Sequence, residues 1–162
     1  MRILALDPGR RRVGIAISDP SGTIARPLMT LERGSRACDF ERIHQLVVTH
    51  GVERVVVGLP LTPAGKRGAQ ARTVVRYAEA LAVELPVSVV LWDERYSTVA
   101  AQSILAGRRE KRTSSKRQSD DVDAVAAAVV LQAYLDEAGP VHGYPGDSAM
   151  GPPLDNPGDD TQ

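Results

Sequence analysis

The sequence predicts an α/β domain built on a five-stranded mixed sheet with helices on both faces. Short apolar runs bounded by Gly and Pro alternate with longer segments in which apolar residues recur every three or four positions, the patterns of strands and helices. The first three runs follow one another through short turns, which favours antiparallel pairing, whereas the later runs are separated by helices and must be parallel. The predicted sheet is therefore mixed.

Asp7 follows the first of these strands, an apolar run over residues 2–6 that suits the centre of a sheet. Gly9 then turns the chain into a second strand, whose small residues Gly14 and Ala16 leave room on one face. A carboxylate at the end of a buried strand is held on a rigid element, and a nearby glycine lets another group approach the backbone. Asp7 is therefore a candidate site residue, although aspartate in this position also opens many hairpins.

The next elements alternate between strand and helix. Pro27 restricts the third strand to an edge of the sheet, because proline cannot donate a ladder hydrogen bond. An Asp39 cap precedes the first helix, and Gly51 ends it. The predicted ranges are a strand over 24–31, a helix over 39–50, a strand over 54–58, a helix over 71–85 and a strand over 87–92.

The fifth strand, like the first, ends in carboxylates, Asp93 and Glu94. Because parallel strands present their carboxyl ends at one edge, where open α/β folds bind ligands, we expect Asp7 and Glu94 to face one crevice. A short helix over 98–105 follows. Residues 107–118 contain six bases, one acid and no periodic apolar residue, which indicates a mobile solvated loop.

The last predicted helix is nearly all apolar over residues 124–135 and is therefore expected to be buried. Three acids stand at its predicted start, Asp120, Asp121 and Asp123. Acids there could simply cap the helix and complement its positive end. The histidines His44, His50 and His142 lack ligand spacing and receive no role.

This arrangement suggests a ribonuclease H-like fold, and four motifs resemble signatures of the YqgF/RuvX family of bacterial nucleases. The similarity covers about residues 2–136, in the order and spacing of the family. The motifs are Asp7-x-Gly9-x-x-Arg12-x-Gly14-x-Ala16, Val57-Gly58-Leu59-Pro60-Leu61, Asp93-Glu94-Arg95-x-Ser97-Thr98 and Val122-Asp123-x-x-Ala126-Ala127.

The resemblance implies a catalytic triad of Asp7, Glu94 and Asp123 that binds Mg²⁺ or Mn²⁺. Carboxylates are the hard oxygen ligands these ions accept, and the ions can activate water and steady the leaving oxygen during phosphodiester cleavage. Many relatives carry a base just before the third acid, where this chain has Asp120-Asp121. Asp120 and Asp121 are therefore further candidate ligands.

The resemblance also implies a nucleic-acid partner, because phosphates reward exposed Lys and Arg near a metal site. Without that partner the basic residues would be interpreted as solvated surface. The candidate nucleic-acid-binding residues are Arg12, Arg95, Thr98, Arg108, Arg109, Lys111, Arg112, Lys116 and Arg117.

Charge divides the 162-residue chain into two parts despite a formal net charge of zero. Residues 137–162 hold five acids and no Lys or Arg, so residues 1–136 hold 20 bases against 15 acids. The acidic part is also rich in Pro and Gly, and it is predicted to be a disordered tail after a nuclease domain over 1–136. With no leader, no membrane-spanning run and a single Cys, the sequence favours a cytoplasmic protein.

The family is described both as maturing the 5′ end of precursor 16S rRNA and as resolving Holliday junctions, and the residues do not separate these activities. We expect rRNA processing on family grounds; a resolvase should be a symmetric dimer with two active sites. An actin-like ATPase would need a second such domain, and a non-catalytic RNA- or ribosome-binding domain would be expected to lose a carboxylate.

Cys38 is the only cysteine and lies in a polar, turn-like stretch between the predicted third strand and first helix. An exposed thiol there could form an intersubunit disulfide across a two-fold axis and so support a homodimer. In a reducing cytoplasm, an idle thiol is the alternative.

Overall fold

A computed structural model describes residues 1–94 and 115–138, and within the final helix the side chains of residues 122–137. The elements are β1 (Arg2–Pro8), β2 (Arg12–Ser18), β3 (Ala25–Glu32), α1 (Arg36–His50), β4 (Val52–Leu59), α2 (Ala69–Glu84), β5 (Ser88–Asp93) and α3 (Ser115–Ala138).

The strands form one mixed sheet in the order β3-β2-β1-β4-β5. The first three strands pair antiparallel, and β4 lies parallel between β1 and β5. Pro27 is in the edge strand β3, close to a register shift between Ile15 and Ala16. The predicted fold class and the edge position of Pro27 are confirmed.

Helices cover both faces of the sheet, as predicted. Helices α1 and α2 bury Ile43 and Leu81 against one face, where alternate residues of β1, Leu4 and Leu6, point. Helix α3 packs Leu131 against the other face, together with the intervening residues of β1. Because β1 is covered on both sides, its carboxyl end is fixed by packing in every direction, and so is the start of any site built there.

The predicted start of α1 is wrong. The helix begins at Arg36 behind Ser35, whose hydroxyl accepts a hydrogen bond from the Cys38 N–H at 3.3 Å. Asp39 is buried inside the first turn, where its carboxylate accepts the Gly34 N–H at 3.1 Å. Cys38 is exposed as predicted, but it belongs to the helix and not to the preceding connection.

The predicted start of the last helix is also wrong. Helix α3 begins at Ser115, so its first residues occupy the end of the stretch 107–118 that was predicted as a loop. Asp123 consequently lies more than two turns inside the helix, and neither it nor Asp120 or Asp121 is in the first turn. The interpretation of these acids as helix caps therefore fails. Among the described helices none is long and apolar enough to cross a membrane.

Candidate active site

Asp7 and Glu94 meet at the carboxyl edge of the sheet, although β4 separates their strands. Gly58 of β4 makes this meeting possible. A Cβ atom at Gly58 would lie 2.6 Å from Glu94 Oε1, so the Glu94 side chain rests directly over this glycine. Because Gly58 has no side chain, the Glu94 side chain can cross over it toward β1.

The Glu94 side chain is hydrogen-bonded to the Asp7 side chain. Burial, this hydrogen bond and the negative charges of Asp7 and Asp93 raise the pKa of Glu94 to about 8. Near neutral pH, the raised pKa therefore favours the protonated form of Glu94. A proton retained at that pH marks a place where the fold concentrates negative charge.

Asp123 approaches this pair over Gly14, on the face of the sheet that α3 covers. Gly14 of β2 lies opposite Asp7 in the β1–β2 ladder. A Cβ atom at Gly14 would fall 1.9 Å from the backbone oxygen of Asp123, which is inside van der Waals contact. Any side chain at position 14 would displace α3, so this glycine sets how closely the helix carrying the third acid approaches Asp7.

The Asp123 carboxylate forms an ion pair with Arg12, with Arg12 Nε 3.3 Å from Asp123 Oδ2. Both side chains are more than one-third exposed, at 38% and 37%. Solvent screens such a pair, so its contribution to stability is small and the guanidinium can exchange one anionic partner for another. Arg12 is predicted to contact nucleic acid, and the structure places it beside Asp123, over the β2 strand that neighbours Asp7.

Arg33 is a residue of this site that the sequence did not identify. Its guanidinium Nη1 donates to the Gly9 carbonyl at 2.7 Å, and its backbone N–H donates to the Arg11 carbonyl at 2.8 Å. The guanidinium also lies 5.4 Å from the centre of the buried Tyr77 ring, within the range of a cation–π contact. Arg33 therefore ties the turn after Asp7 to the packed core. None of the four motifs includes Arg33, and its position directly after the third strand is the one sequence feature that points to a contact with the turn after Asp7.

The donor set at this edge suits a divalent cation. Mg²⁺ is commonly bound by one or two carboxylates, with waters and substrate phosphates completing its shell. Asp7 and Glu94 supply two carboxyl groups that are hydrogen-bonded to each other. Among the described side chains, those of residues 1–94 and 122–137, no three from Asp, Glu, His or Cys are grouped closely enough to hold an ion together. Metal binding by all three acids therefore remains a prediction.

Several predicted site residues lie outside the described part of the chain or lack described side chains. Helix α3 includes Asp120, Asp121, Lys116 and Arg117 as backbone only. The residues outside the description are Arg95, Thr98, Arg108, Arg109, Lys111 and Arg112.

The family description "RuvX: Holliday junction resolvase" matches residues 1–137 of this chain. The chain belongs to the RuvX family. It is therefore a nuclease, a hydrolase that acts on phosphodiester bonds, and nucleic acid is its substrate class. The family resemblance inferred from the four motifs is confirmed.

Curated relatives of this RuvX-family chain share the name "Putative pre-16S rRNA nuclease". One from Thermoanaerobacter pseudethanolicus is 42% identical over 136 residues, which are 84% of this chain and 96% of the relative. Another from Chloroflexus aurantiacus is 46% identical over 134 residues, covering 83% and 86% of the two chains. The family match ends at residue 137, where the acidic, Pro- and Gly-rich segment begins.

Solved structures confirm the ribonuclease H-like fold. The chain is similar to T. thermophilus RuvC in complex with a Holliday junction, with a TM-score of 0.58, 18% identity and coverage of 87% of this chain and 100% of RuvC. The Fowlpox virus resolvase bound to Holliday junction DNA aligns with a TM-score of 0.50 at 11% identity, covering 85% and 99%. At these identities the likeness concerns the fold alone.

Proposed function

We propose that this RuvX-family nuclease cleaves RNA in the 5′-end maturation of precursor 16S rRNA, with Mg²⁺ or Mn²⁺ held by Asp7, Glu94 and Asp123. The observation that carries the proposal is the position of Glu94 over Gly58, where it hydrogen-bonds to Asp7 at the carboxyl edge of the sheet. The name shared by the curated relatives supports the choice of substrate.

The residues divide the work by their positions. Asp7 and Glu94 would hold the ion, which when bound supplies a polarised water and charge stabilisation for the leaving oxygen. Asp123 would add a third carboxylate once Arg12 turned from it toward a substrate phosphate, an exchange that their exposed ion pair permits. Arg33 keeps the turn after Asp7 in place during this exchange.

The test is a cleavage panel with purified protein and Mg²⁺ or Mn²⁺. The substrates are a precursor-rRNA leader, an unrelated single-stranded RNA and a four-way DNA junction. Asp7→Asn is the inactive variant, and Asp19→Asn is the matched control, because Asp19 terminates β2 at the opposite end of the same strand pair. Cleavage of the leader by the parent and by Asp19→Asn, but not by Asp7→Asn, is the expected result. Equal cleavage by Asp7→Asn would remove the site assignment.

Resolution of Holliday junctions is the second candidate, favoured by the description of the matching family. A resolvase must present two active sites to opposite strands, which requires a symmetric dimer. Junction cleavage in the panel, together with a dimer in sedimentation, would select this activity over rRNA maturation.

Cys38 provides one specific route to such a dimer, because its thiol is free and exposed in the first turn of α1. Non-reducing gels of the parent and of Cys38→Ser, with and without oxidant, show whether a disulfide forms. A dimer that persists in Cys38→Ser would be held by other contacts. Maturation of rRNA would place the protein in the cytoplasm, where a reduced thiol is the expected state.

A further inference from the structure

The chain between Glu53 and Glu79 contains no acidic residue. Apart from Arg54 in β4, the cations of this segment lie in the loop after β4 and in the first half of α2. We call the four residues Lys66, Arg67, Arg72 and Arg76 the basic strip. All four are exposed, and in the described part of the chain none has a carboxylate within ion-pair distance.

The loop that begins the basic strip leaves the sheet at the active site. Strand β4 lies between β1 and β5, so Leu59 at its carboxyl end is flanked by the strands that present Asp7 and Glu94. The loop is folded on itself around Thr62. The Thr62 hydroxyl accepts the Lys66 N–H at 3.1 Å, and the Thr62 N–H donates to the Lys66 carbonyl at 3.0 Å. The backbone of Lys66 is thereby fixed to Thr62, three residues beyond the carboxyl end of β4.

The strip continues away from the site along α2. Arg72 and Arg76 are four residues apart and lie on one face, about 6 Å apart along the helix axis. The buried face of α2, which includes Ala71 and Val74, packs on the sheet. The second half of the helix carries acids, so positive charge is confined to the half nearest the active site.

We propose that the basic strip binds the phosphate backbone of the RNA on the α2 side of the cleavage site. The inference rests on the proposed function, and it adds a second contact region to the predicted one at residues 108–117. Asp7, Gly14 and Gly58 lie on the face of the sheet that α3 covers, and α2 covers the other face. RNA bound at the carboxylates must therefore continue round the carboxyl edge of the sheet to reach the strip. Arg binds phosphate bidentately, and unpaired cations release counterions from the nucleic acid on contact.

This placement implies that the substrate continues past the scissile phosphate toward α2. An RNA that ends at the active site on that side would make no contact with the strip. Neutralising the strip should therefore weaken binding of the longer RNA and leave binding of the shorter RNA unchanged. The strip makes no base-specific contacts by its chemistry, so the loss should be the same for all sequences.

The experiment compares Arg72→Gln/Arg76→Gln with a control double variant, Arg2→Gln/Arg26→Gln. The control removes the same charge at the amino ends of β1 and β3, away from the site. All proteins carry Asp7→Asn to prevent cleavage, and binding of a single-stranded RNA is measured across a salt series. The slope of the logarithm of the binding constant against the logarithm of the salt concentration should decrease in magnitude by about 1.4 in the strip variant, because each of the two lost phosphate contacts contributes about 0.7. The slope should stay unchanged in the control.

If the two double variants have the same salt slope, the inference is wrong. It is also wrong if the strip variant loses the same affinity for the long RNA, for RNA truncated on the α2 side and for RNA truncated on the other side. Loss of binding to polyglutamate with unchanged RNA binding would assign the strip to an acidic polypeptide and also overturn it. The proposed function is judged separately by cleavage with Asp7 intact. If the parent cleaves RNA but the strip variant keeps the parental salt slope, phosphate binding by the strip is refuted and the proposed function stands. If the parent cleaves no RNA, the proposed function is refuted.

Discussion

The two ends of the β1–β2 pair hold acids in opposite environments. At one end, Asp19 accepts the backbone N–H groups of Thr23 at 2.8 Å and Ile24 at 2.9 Å, as well as the Ser21 hydroxyl. These bonds, with that from Ile24 the most important, lower the pKa of Asp19 to about 2. The turn supplies donors for this carboxylate, so its charge is satisfied by the protein itself.

At the other end the fold presses carboxylates together. Glu94 is placed over Gly58 against Asp7, and burial and like charge raise its pKa to about 8. The contrast is the one expected between a structural acid and an acid that binds a ligand. The hydrogen-bond donors around Asp19 stabilise its ionised form and the turn. The acids around Asp7 instead raise the pKa of Glu94, and a bound cation would relieve the repulsion between them.

Exchange of each aspartate for asparagine should give the largest difference between the two ends. Asp7→Asn should lower the cleavage rate by more than about 100-fold. Loss of a residue that hydrogen-bonds a metal ligand costs up to about 100-fold, and this substitution removes a proposed ligand itself. Asp19→Asn should leave the rate unchanged. Single-turnover cleavage of the same RNA measures both, and a comparable loss in Asp19→Asn would show that the contrast has no bearing on catalysis.

Gly58→Ala should separate the carboxylate pair without removing an acid. The new methyl group would lie 2.6 Å from Glu94 Oε1, so the side chain must turn away from Asp7. We expect cleavage to fall by roughly 10-fold, as for a displaced metal-site partner, while the circular dichroism spectrum is retained. Full activity would mean that Glu94 functions without the position it has over Gly58.

The two ends should also respond to pH with opposite sign. The pKa of Glu94 is raised on folding, so its contribution to stability is present below about 4.5 and is lost as pH rises through about 8. The pKa of Asp19 is lowered, so its contribution is present above 3.8 and is lost as pH falls through about 2.

Thermal melts of the metal-free protein from pH 5 to 9 test the first of these responses. The parent should lose stability with rising pH over this window, and Asp7→Asn should lose less because one of the repelling charges is gone. A parent whose melting temperature is flat or rises across this range would contradict the raised pKa of Glu94.

The smallest expected effect is the stability change in Asp19→Asn. Asparagine keeps one carboxamide oxygen to accept a backbone N–H but loses the charge that strengthens the bonds. We expect the melting temperature at pH 7 to fall by about 2–4 °C, the shift for an energy on the scale of one hydrogen bond. Calorimetry would measure it, and an unchanged melting temperature would mean that the turn does not depend on the charge.

The convergence of Asp7 and Glu94 was predictable because apolar strands and their parallel order fix where carboxylates at strand ends must lie. The approach of Asp123 could be placed only through the family motif, since no local pattern shows that α3 crosses β2 at Gly14. A glycine in a strand indicates a close approach, but the approaching group is distant in sequence and cannot be read locally.

The beginnings of α1 and α3 were missed for two different reasons. Ser35 and Asp39 are both capping residue types, and the choice between them depends on tertiary burial of Asp39. The first turn of α3 has no apolar periodicity, so charged residues with good helix propensity were interpreted as a loop. Arg33 was missed because its partner is a backbone carbonyl, which no side-chain motif reveals.

Proton release during metal binding tests the central claim most directly, namely that the proton held by Glu94 and Asp7 stands where a cation binds. Calorimetric titration with Mn²⁺ at pH 7, repeated in buffers of different ionisation enthalpy, counts the protons displaced. The raised pKa of Glu94 predicts release of close to one proton by the parent and by Asp19→Asn. Asp7→Asn should bind weakly and release far less. Tight Mn²⁺ binding by the parent without proton release would contradict the claim.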